Sequence, residues 1–331
     1  MRVLIAGGQG FVGLNLAEQL LAQGHAVALF GPNSAPSSFK RALKELPGEL
    51  IIMDGDVSQA AELEHTLVTF KPDRVVNAAA ITAGLDREKS SARRIFEVNL
   101  LGTVELLEAC LRHRIPRVVQ LSTGSVFGEQ GRSSAWLDEG SSPALPESLY
   151  GISKFAAERT CIRYATKLGM NVTALRLGTV FGRWEYDTGL RDTLSIPLQL
   201  LRSAQAGQEA VLLRECADDW VYSVDVAFGV IAALNSQFNP KPLYHLSAGL
   251  RWDVADWCQR MRAAFPGFNY ELVDDPALCT IGRTSSPSRS PMNIERIQAD
   301  FGYQPAYLPD AAFSDFLKWG EAHPADARYR A

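Results

Sequence analysis

Long apolar runs are missing from this chain. None reaches the roughly 18 residues that a membrane-spanning helix requires, so no membrane span is expected. Cysteine is scarce: Cys110, Cys161, Cys216, Cys258 and Cys279 are odd in number, scattered and never spaced Cys-x-x-Cys. That pattern argues against a disulfide framework or a structural metal site and fits a reducing cytoplasm. No charge of one sign dominates. Lys and Arg number 33 against 37 Asp and Glu, a net charge of −4, which gives no electrostatic case for nucleic acid or an anionic membrane as partner. The start lacks a charged segment followed by an apolar stretch and cleavage site, and runs at once into Val3-Leu4-Ile5-Ala6, so no secretory leader is expected. Internal repeats and low-complexity tracts are absent too.

What is present is an ordinary globular composition, 47% hydrophobic and 21% charged, over 331 residues. That length suits one large α/β unit or two joined domains. Over the first 180 residues, short β-branched apolar runs at 2–6, 26–30, 50–53, 74–78, 117–122 and 171–177 alternate with helical patterns near 11–23, 37–46, 58–70, 91–113 and 150–168. The alternation predicts an α/β fold built on a doubly wound parallel sheet of the Rossmann kind. Continuous apolar runs suit strands covered on both faces. Residues 129–147, rich in Gly, Ser and Pro, read as a surface loop beside the site. Beyond residue 180, prolines from Pro197 to Pro309 break the rhythm. We expect a Rossmann domain over 1–180 and, over 181–331, a smaller and mainly substrate-binding domain, with chain returning to the first near 219–235.

Gly7, Gly10 and Gly13 follow the first strand and open the first helix. The first glycine permits a tight turn, the second a close approach of backbone to a pyrophosphate, and the third close packing of helix on strand. This context predicts a dinucleotide site that includes Phe11 and Val12. An acidic residue at the end of the second strand would select NAD by binding a ribose 2′-hydroxyl. Here Phe30 is followed by Gly31, with Asn33, Ser34, Lys40 and Arg41 beyond, so NAD or NADP is expected with NADP the preferred of the two. Tyr150 and Lys154 stand at i and i+4 and would share a helix face. An ammonium beside a phenol lowers its pKa from about 10, so that it can exchange a carbinol proton while a nicotinamide exchanges the hydride.

With these residues in view, the chain resembles the extended short-chain dehydrogenase/reductases of the NAD(P)-dependent sugar epimerase/dehydratase type over nearly its whole length. The likeness runs through Gly7–Gly13, Gly55-Asp56-Val57 and Asn77-Ala78-Ala79-Ala80. It continues through Val98–Thr103, Leu121–Gly128, Tyr150–Lys154, Leu175–Gly182 and Asp219–Ala227, and ends at Asn293–Arg296 and Phe301–Pro305. The resemblance implies Tyr150 as acid/base, Lys154 as its ribose-binding partner and Thr123 as the hydroxyl that stabilises developing charge, with Ser122 and Ser125 as neighbours able to substitute. It also implies Asp56 and Val57 beside the adenine, Ala78, Ala79 and Ala80 along the cofactor's path, and Asn99 supporting the site from the next helix. Helices 91–113 and 150–168 resemble the pair through which many members form homodimers.

Departures from the family narrow the reaction. Its 4,6-dehydratases carry an Asp-Glu pair directly after the catalytic Thr, where this chain has Gly124 and Ser125. No cysteine or histidine base accompanies Thr123. UDP-sugar 4-epimerases place an Asn where Thr179 stands and a pyrophosphate-binding Arg where Asp218 stands, whereas a second family arginine matches Arg283. Arg183, Arg191 and Arg214 are further candidates for substrate contact, because guanidinium forks bind carboxylate or phosphate, and the unusual segment 183–189 would wall the pocket. Three readings stay open: a dehydrogenase or reductase acting on a sugar, sugar acid or related derivative; a nucleotide-sugar 4-epimerase; and an NAD(P)-binding regulator without turnover.

Overall fold

The computed structural model describes residues 1–32, 35–236, 241–282 and 289–323. Six strands appear where the apolar runs predict them: β1 (Arg2–Ala6), β2 (Ala26–Gly31), β3 (Glu49–Asp54), β4 (Arg74–Asn77), β5 (Arg117–Thr123) and β6 (Val172–Leu177). A seventh, Leu243–Leu246, joins them in one sheet ordered β3-β2-β1-β4-β5-β6 and then the seventh strand, every pairing parallel. The order reverses between β1 and β4, and a ligand crevice is expected there, beyond the carboxyl ends of the strands. Two large apolar clusters flank the sheet, so β1, β5 and β6 are buried along nearly their whole length, polar residues of β5 and β6 included.

The helix α1 (Phe11–Ala22) follows β1 directly and carries no side-chain cap at Gly10. Its first N–H groups therefore lack intrahelical partners and face the crevice. The predicted helix 91–113 begins earlier, at Leu85, where Gly84 precedes it and Asp86 and Glu88 sit in the first turn. It bends at Ser91 and passes through one π-helical turn, Glu97–Leu101, before continuing as Gly102–Arg112. The helix carrying the Tyr–Lys pair spans Leu149–Lys167, with the Ser148 hydroxyl accepting from the Gly151 amide at its start.

The return of chain to the sheet extends past the predicted 219–235. Helix Ser223–Asn235 packs on α1, and Leu243–Leu246 then adds to β6. The proline-broken remainder gathers around aromatic rings. Phe181 is ringed by Trp220, Tyr222, Trp252, Trp257 and Phe316, with centroids 5.2–6.1 Å away. Edge-to-face contacts of this kind add to simple area burial. They fix the segment 179–191 beside the mouth of the crevice.

Candidate active site

A cavity of about 720 Å³ runs along the carboxyl ends of the strands, from the glycine loop past β5 to Thr179 and Arg289. Its glycine end is shaped by backbone contact. Gly7 has φ +72°, and a Cβ there would lie 2.6 Å from Ala79 backbone; one on Gly13 would lie 2.6 Å from Gly8. Gly10 differs, since a Cβ would meet only the Gly7 carbonyl, at 3.3 Å. Two of the three glycines thus serve chain packing, and the bareness of Gly10 serves what enters the cavity. Ala78 and Ala79 explain themselves the same way, because the turn at Gly7 lies on their backbone. Phe11, Val12, Gly31, Asp56, Val57 and Ala80 line this end as well.

Gln9, a residue that sequence reasoning missed, staples the loop. Its amide donates to the Gly31 carbonyl at 3.2 Å and accepts from the Ala35 N–H at 2.9 Å. Tyr186 donates to the Gln9 carbonyl at 2.6 Å, so the segment 183–189 does wall the cavity. Asp56 accepts from Ser58 at 2.7 Å and pairs with Arg94, and these contacts hold its carboxyl below the usual range despite burial.

At the other end β5 delivers Thr123 into a tight turn. Its hydroxyl accepts from the Ser125 amide at 3.1 Å and donates to the Ser125 hydroxyl at 3.2 Å. Gly151 lets the next helix approach this turn, for a Cβ on it would lie 2.9 Å from the Ser125 carbonyl. Tyr150 and Lys154 are thereby set beside Thr123, and all three line the cavity. Asn99 does not line it. From behind, its amide accepts from the Ile81 N–H at 2.8 Å and donates to Ser153 at 3.0 Å, and Ser153 donates to the Tyr150 carbonyl at 2.9 Å. The π turn that carries Asn99 is the kind of local irregularity often found at sites. Ser122 reaches the cavity edge, but its hydroxyl donates to Glu158 at 2.8 Å, and Glu158 in turn is gripped by a fork from Arg176.

One expectation is corrected. Lys154 was to draw the Tyr150 phenol down; instead burial pushes that phenol up, against smaller downward pulls from the Thr123 and Thr82 hydroxyls and then from Arg191 and Arg289. Taking a phenolate out of water outweighs those aids. The Lys154 ammonium is itself weakened by burial, to about 8. Thr82 and Arg289 were not foreseen; each meets the site through contacts distant in sequence, with no motif around it.

The predicted arginines divide. Arg191 lines the cavity, paired with Glu185 at 2.9 Å and lying over the Phe11 ring. Arg183 is turned away and forked onto Asp315, and Arg214 pairs with exposed Asp274 at 3.0 Å; neither lines the cavity. Their carboxylate partners lie on elements outside the crevice. Thr179 lines the cavity as expected. Arg283, Asn33 and Ser34 lie outside the described residues, and Lys40 and Arg41 are exposed and do not line the cavity.

A family model described as the NAD dependent epimerase/dehydratase family matches residues 3–247. The chain belongs to that family. It is 30% identical over 333 residues to a dTDP-glucose 4,6-dehydratase of Streptomyces niveus, covering 96% of this chain and 90% of that one. To UDP-glucuronate 4-epimerase 1 of Arabidopsis thaliana it is 28% identical over 346 residues, covering 96% and 76%. The fold matches a UDP-glucose 4-epimerase of Thermus thermophilus solved with NAD, at TM-score 0.79 and 24% identity over 97% of this chain and 99% of the other. The protein is therefore an enzyme, an NAD(P)-dependent oxidoreductase of the sugar epimerase/dehydratase type. Its own residues fit that cofactor: the bare flank of Gly10, the uncapped start of α1 and the cavity beyond them all suit a pyrophosphate with a ring on either side. Among the described residues no helix is long and apolar enough to cross a membrane.

Proposed function

We propose that the chain oxidises and reduces a carbinol carbon of a nucleotide-linked sugar or sugar acid, with Tyr150 as the proton carrier. The observation that carries this reading is the convergence of Tyr150 with the hydroxyls of Thr123 and Thr82 in the cavity that Gly10 opens at its other end. When bound, the nicotinamide supplies the hydride acceptor and donor. Tyr150 takes the hydroxyl proton as the carbon is oxidised and returns it to the carbonyl oxygen on reduction. The raised pKa favours the protonated phenol, the form that gives its proton to the carbonyl oxygen on reduction. The oxidising step needs the phenolate, which the Thr123 and Thr82 hydroxyls and the charges of Arg191 and Arg289 stabilise. Thr123 is positioned to hold the same oxygen as its charge develops. Lys154 would meet the cofactor ribose.

A second reading is epimerisation at C4 by oxidation, ketone rotation and re-reduction. The epimerases among the relatives favour it, and so does the lack of a carboxylate at Gly124 and Ser125 for water elimination. Incubation with nucleotide sugars separates the two readings. A dehydrogenase accumulates free reduced cofactor, whereas an epimerase makes the 4-epimer while the cofactor shows no net change.

NADP is the expected preference, because Gly31 offers a ribose 2′-substituent no carboxylate. All five cysteines are thiols rather than disulfides, which accords with a reducing cytoplasm. A homodimer would cover Leu101, Leu111 and Ile152, which are exposed on the two helices expected to pair. The substrate-binding role of the chain beyond residue 180 is part of the same proposal, with Thr179, Tyr186 and Arg191 as its contributions to the cavity.

A further inference from the structure

Arg289 enters the cavity with a charge that no carboxylate among the described residues neutralises. Its backbone N–H donates to Asp218 at 3.2 Å, and its side chain then crosses the turn after β5. A Cβ on Gly124 would lie 2.8 Å from its Nη1 and 3.0 Å from its Cζ, so the guanidinium rests on the backbone one residue beyond Thr123. Nη2 donates to the Thr179 hydroxyl, while Nε is buried without a hydrogen-bond partner. Asp219 feels this charge, yet its two oxygens are taken by the Ser247 hydroxyl and the Met292 amide. Among the described residues, then, Arg289 has a hydroxyl partner and no ion pair. Arg191, the other arginine whose charge acts on the Tyr150 phenol, is already paired with Glu185.

A guanidinium carries five N–H donors and is costly to hold away from water unpaired. A ligand carboxylate accepts two of those donors in one fork. We propose that the reacting sugar bears a carboxylate on the carbon next to its carbinol, and that Arg289, steadied by Thr179, recognises it; the substrate class is the nucleotide-linked hexuronate. This deepens the carbinol chemistry proposed above and rests on it. Gly124 and Arg289 form a matched pair, since any side chain at 124 would displace the guanidinium. A diphosphate would also satisfy an arginine, but it hangs from the anomeric carbon, across the ring from a carbinol at C4. Arg289 stands on the residue next to Thr123, at the reacting end.

The test uses the full-length protein with NAD or NADP and two pairs of sugars, glucuronate and glucose, each on uridine and on thymidine diphosphate. Turnover is followed by chromatography, and binding to Tyr150→Phe by calorimetry. The wild type should favour the uronate in kcat/KM on the order of 100-fold, as expected for a hydrogen-bonded charge. Arg289→Gln should bring that ratio close to one. Equal or better turnover of the neutral sugar by the wild type overturns the carboxylate assignment and leaves the carbinol chemistry standing. Equal losses on both sugars in Arg289→Gln place the arginine on the diphosphate and overturn it as well. Failure of all four sugars to react, with the dinucleotide bound, removes the underlying reading and this one with it. Should Arg289→Gln not fold, the calorimetry decides: uronate binding on the order of 10-fold tighter supports the assignment, and equal binding rejects it.

Discussion

Asn99 and Ser153 meet behind the site, the amide donating to the hydroxyl at 3.0 Å, and Ser153 hands the contact on to the Tyr150 carbonyl. Through this short chain of bonds the π turn sets the height of the catalytic helix against the end of β4, where Asn99 also grips Ile81. Asn99→Ala leaves these buried groups unpaired and should cost about 1–3 kcal/mol in unfolding free energy. It should also lower kcat more than it weakens cofactor binding, because Tyr150 loses its support. Denaturant unfolding and steady-state kinetics check the two halves; unchanged kcat would confine Asn99 to stability.

The glycine loop separates packing from ligand binding. Gly7→Ala and Gly13→Ala drive a methyl into backbone 2.6 Å away and should yield little folded protein. Gly10→Ala meets only one carbonyl at 3.3 Å and should fold with a normal melting temperature. Its methyl occupies the flank on which the pyrophosphate would lie, so dinucleotide affinity should fall on the order of 10-fold or more. Titration calorimetry beside thermal unfolding separates the effects, and wild-type affinity in Gly10→Ala would place the cofactor elsewhere.

Gly31→Asp tests cofactor choice. A Cβ at this position approaches nothing nearer than Gly7 Cα, at 3.8 Å, so the carboxylate is accommodated without a clash. The variant should shift the NAD-over-NADP preference toward NAD on the order of 10-fold, by repelling a 2′-phosphate and accepting from a 2′-hydroxyl. Measured kcat/KM ratios that stay unchanged would contradict the expected NADP preference.

Burial of Lys154 predicts a pH dependence of stability. Its ammonium titrates at about 8 in the folded dinucleotide-free protein against 10.5 in the unfolded chain. Between those values the unfolded chain binds more protons, so this residue makes stability rise with pH; below 8 its cost is constant. The full rise is on the order of 3 kcal/mol. Unfolding curves of wild type and Lys154→Met should differ by a constant amount below that window and by a changing amount within it. Parallel curves throughout would mean that Lys154 titrates normally.

Much of the fold was legible because β1 to β6 are short, apolar and separated by helical periodicity, a pattern that local sequence carries in full. The strand Leu243–Leu246 was not, since its place beside β6 depends on a crossover through Ser223–Asn235. Nor was the start at Leu85, where charged residues hide a helix that Gly84 opens. In the site, the Tyr150–Lys154 spacing and the glycine loop announced themselves. Gln9, Thr82 and Arg289 did not, because each acts through partners 22 to 177 residues away, and a lone polar residue looks the same at the surface as in a cavity. Arg183 and Arg214 misled for the same reason: whether an arginine is free depends on distant carboxylates such as Asp315 and Asp274.

The most direct test is turnover and dinucleotide binding measured side by side in Tyr150→Phe. With only the phenolic oxygen removed, dinucleotide affinity should stay within a few-fold of wild type while turnover drops about 10²–10⁴-fold, the usual worth of a positioned acid or base. Turnover within a few-fold of wild type would show that the proton travels by another route.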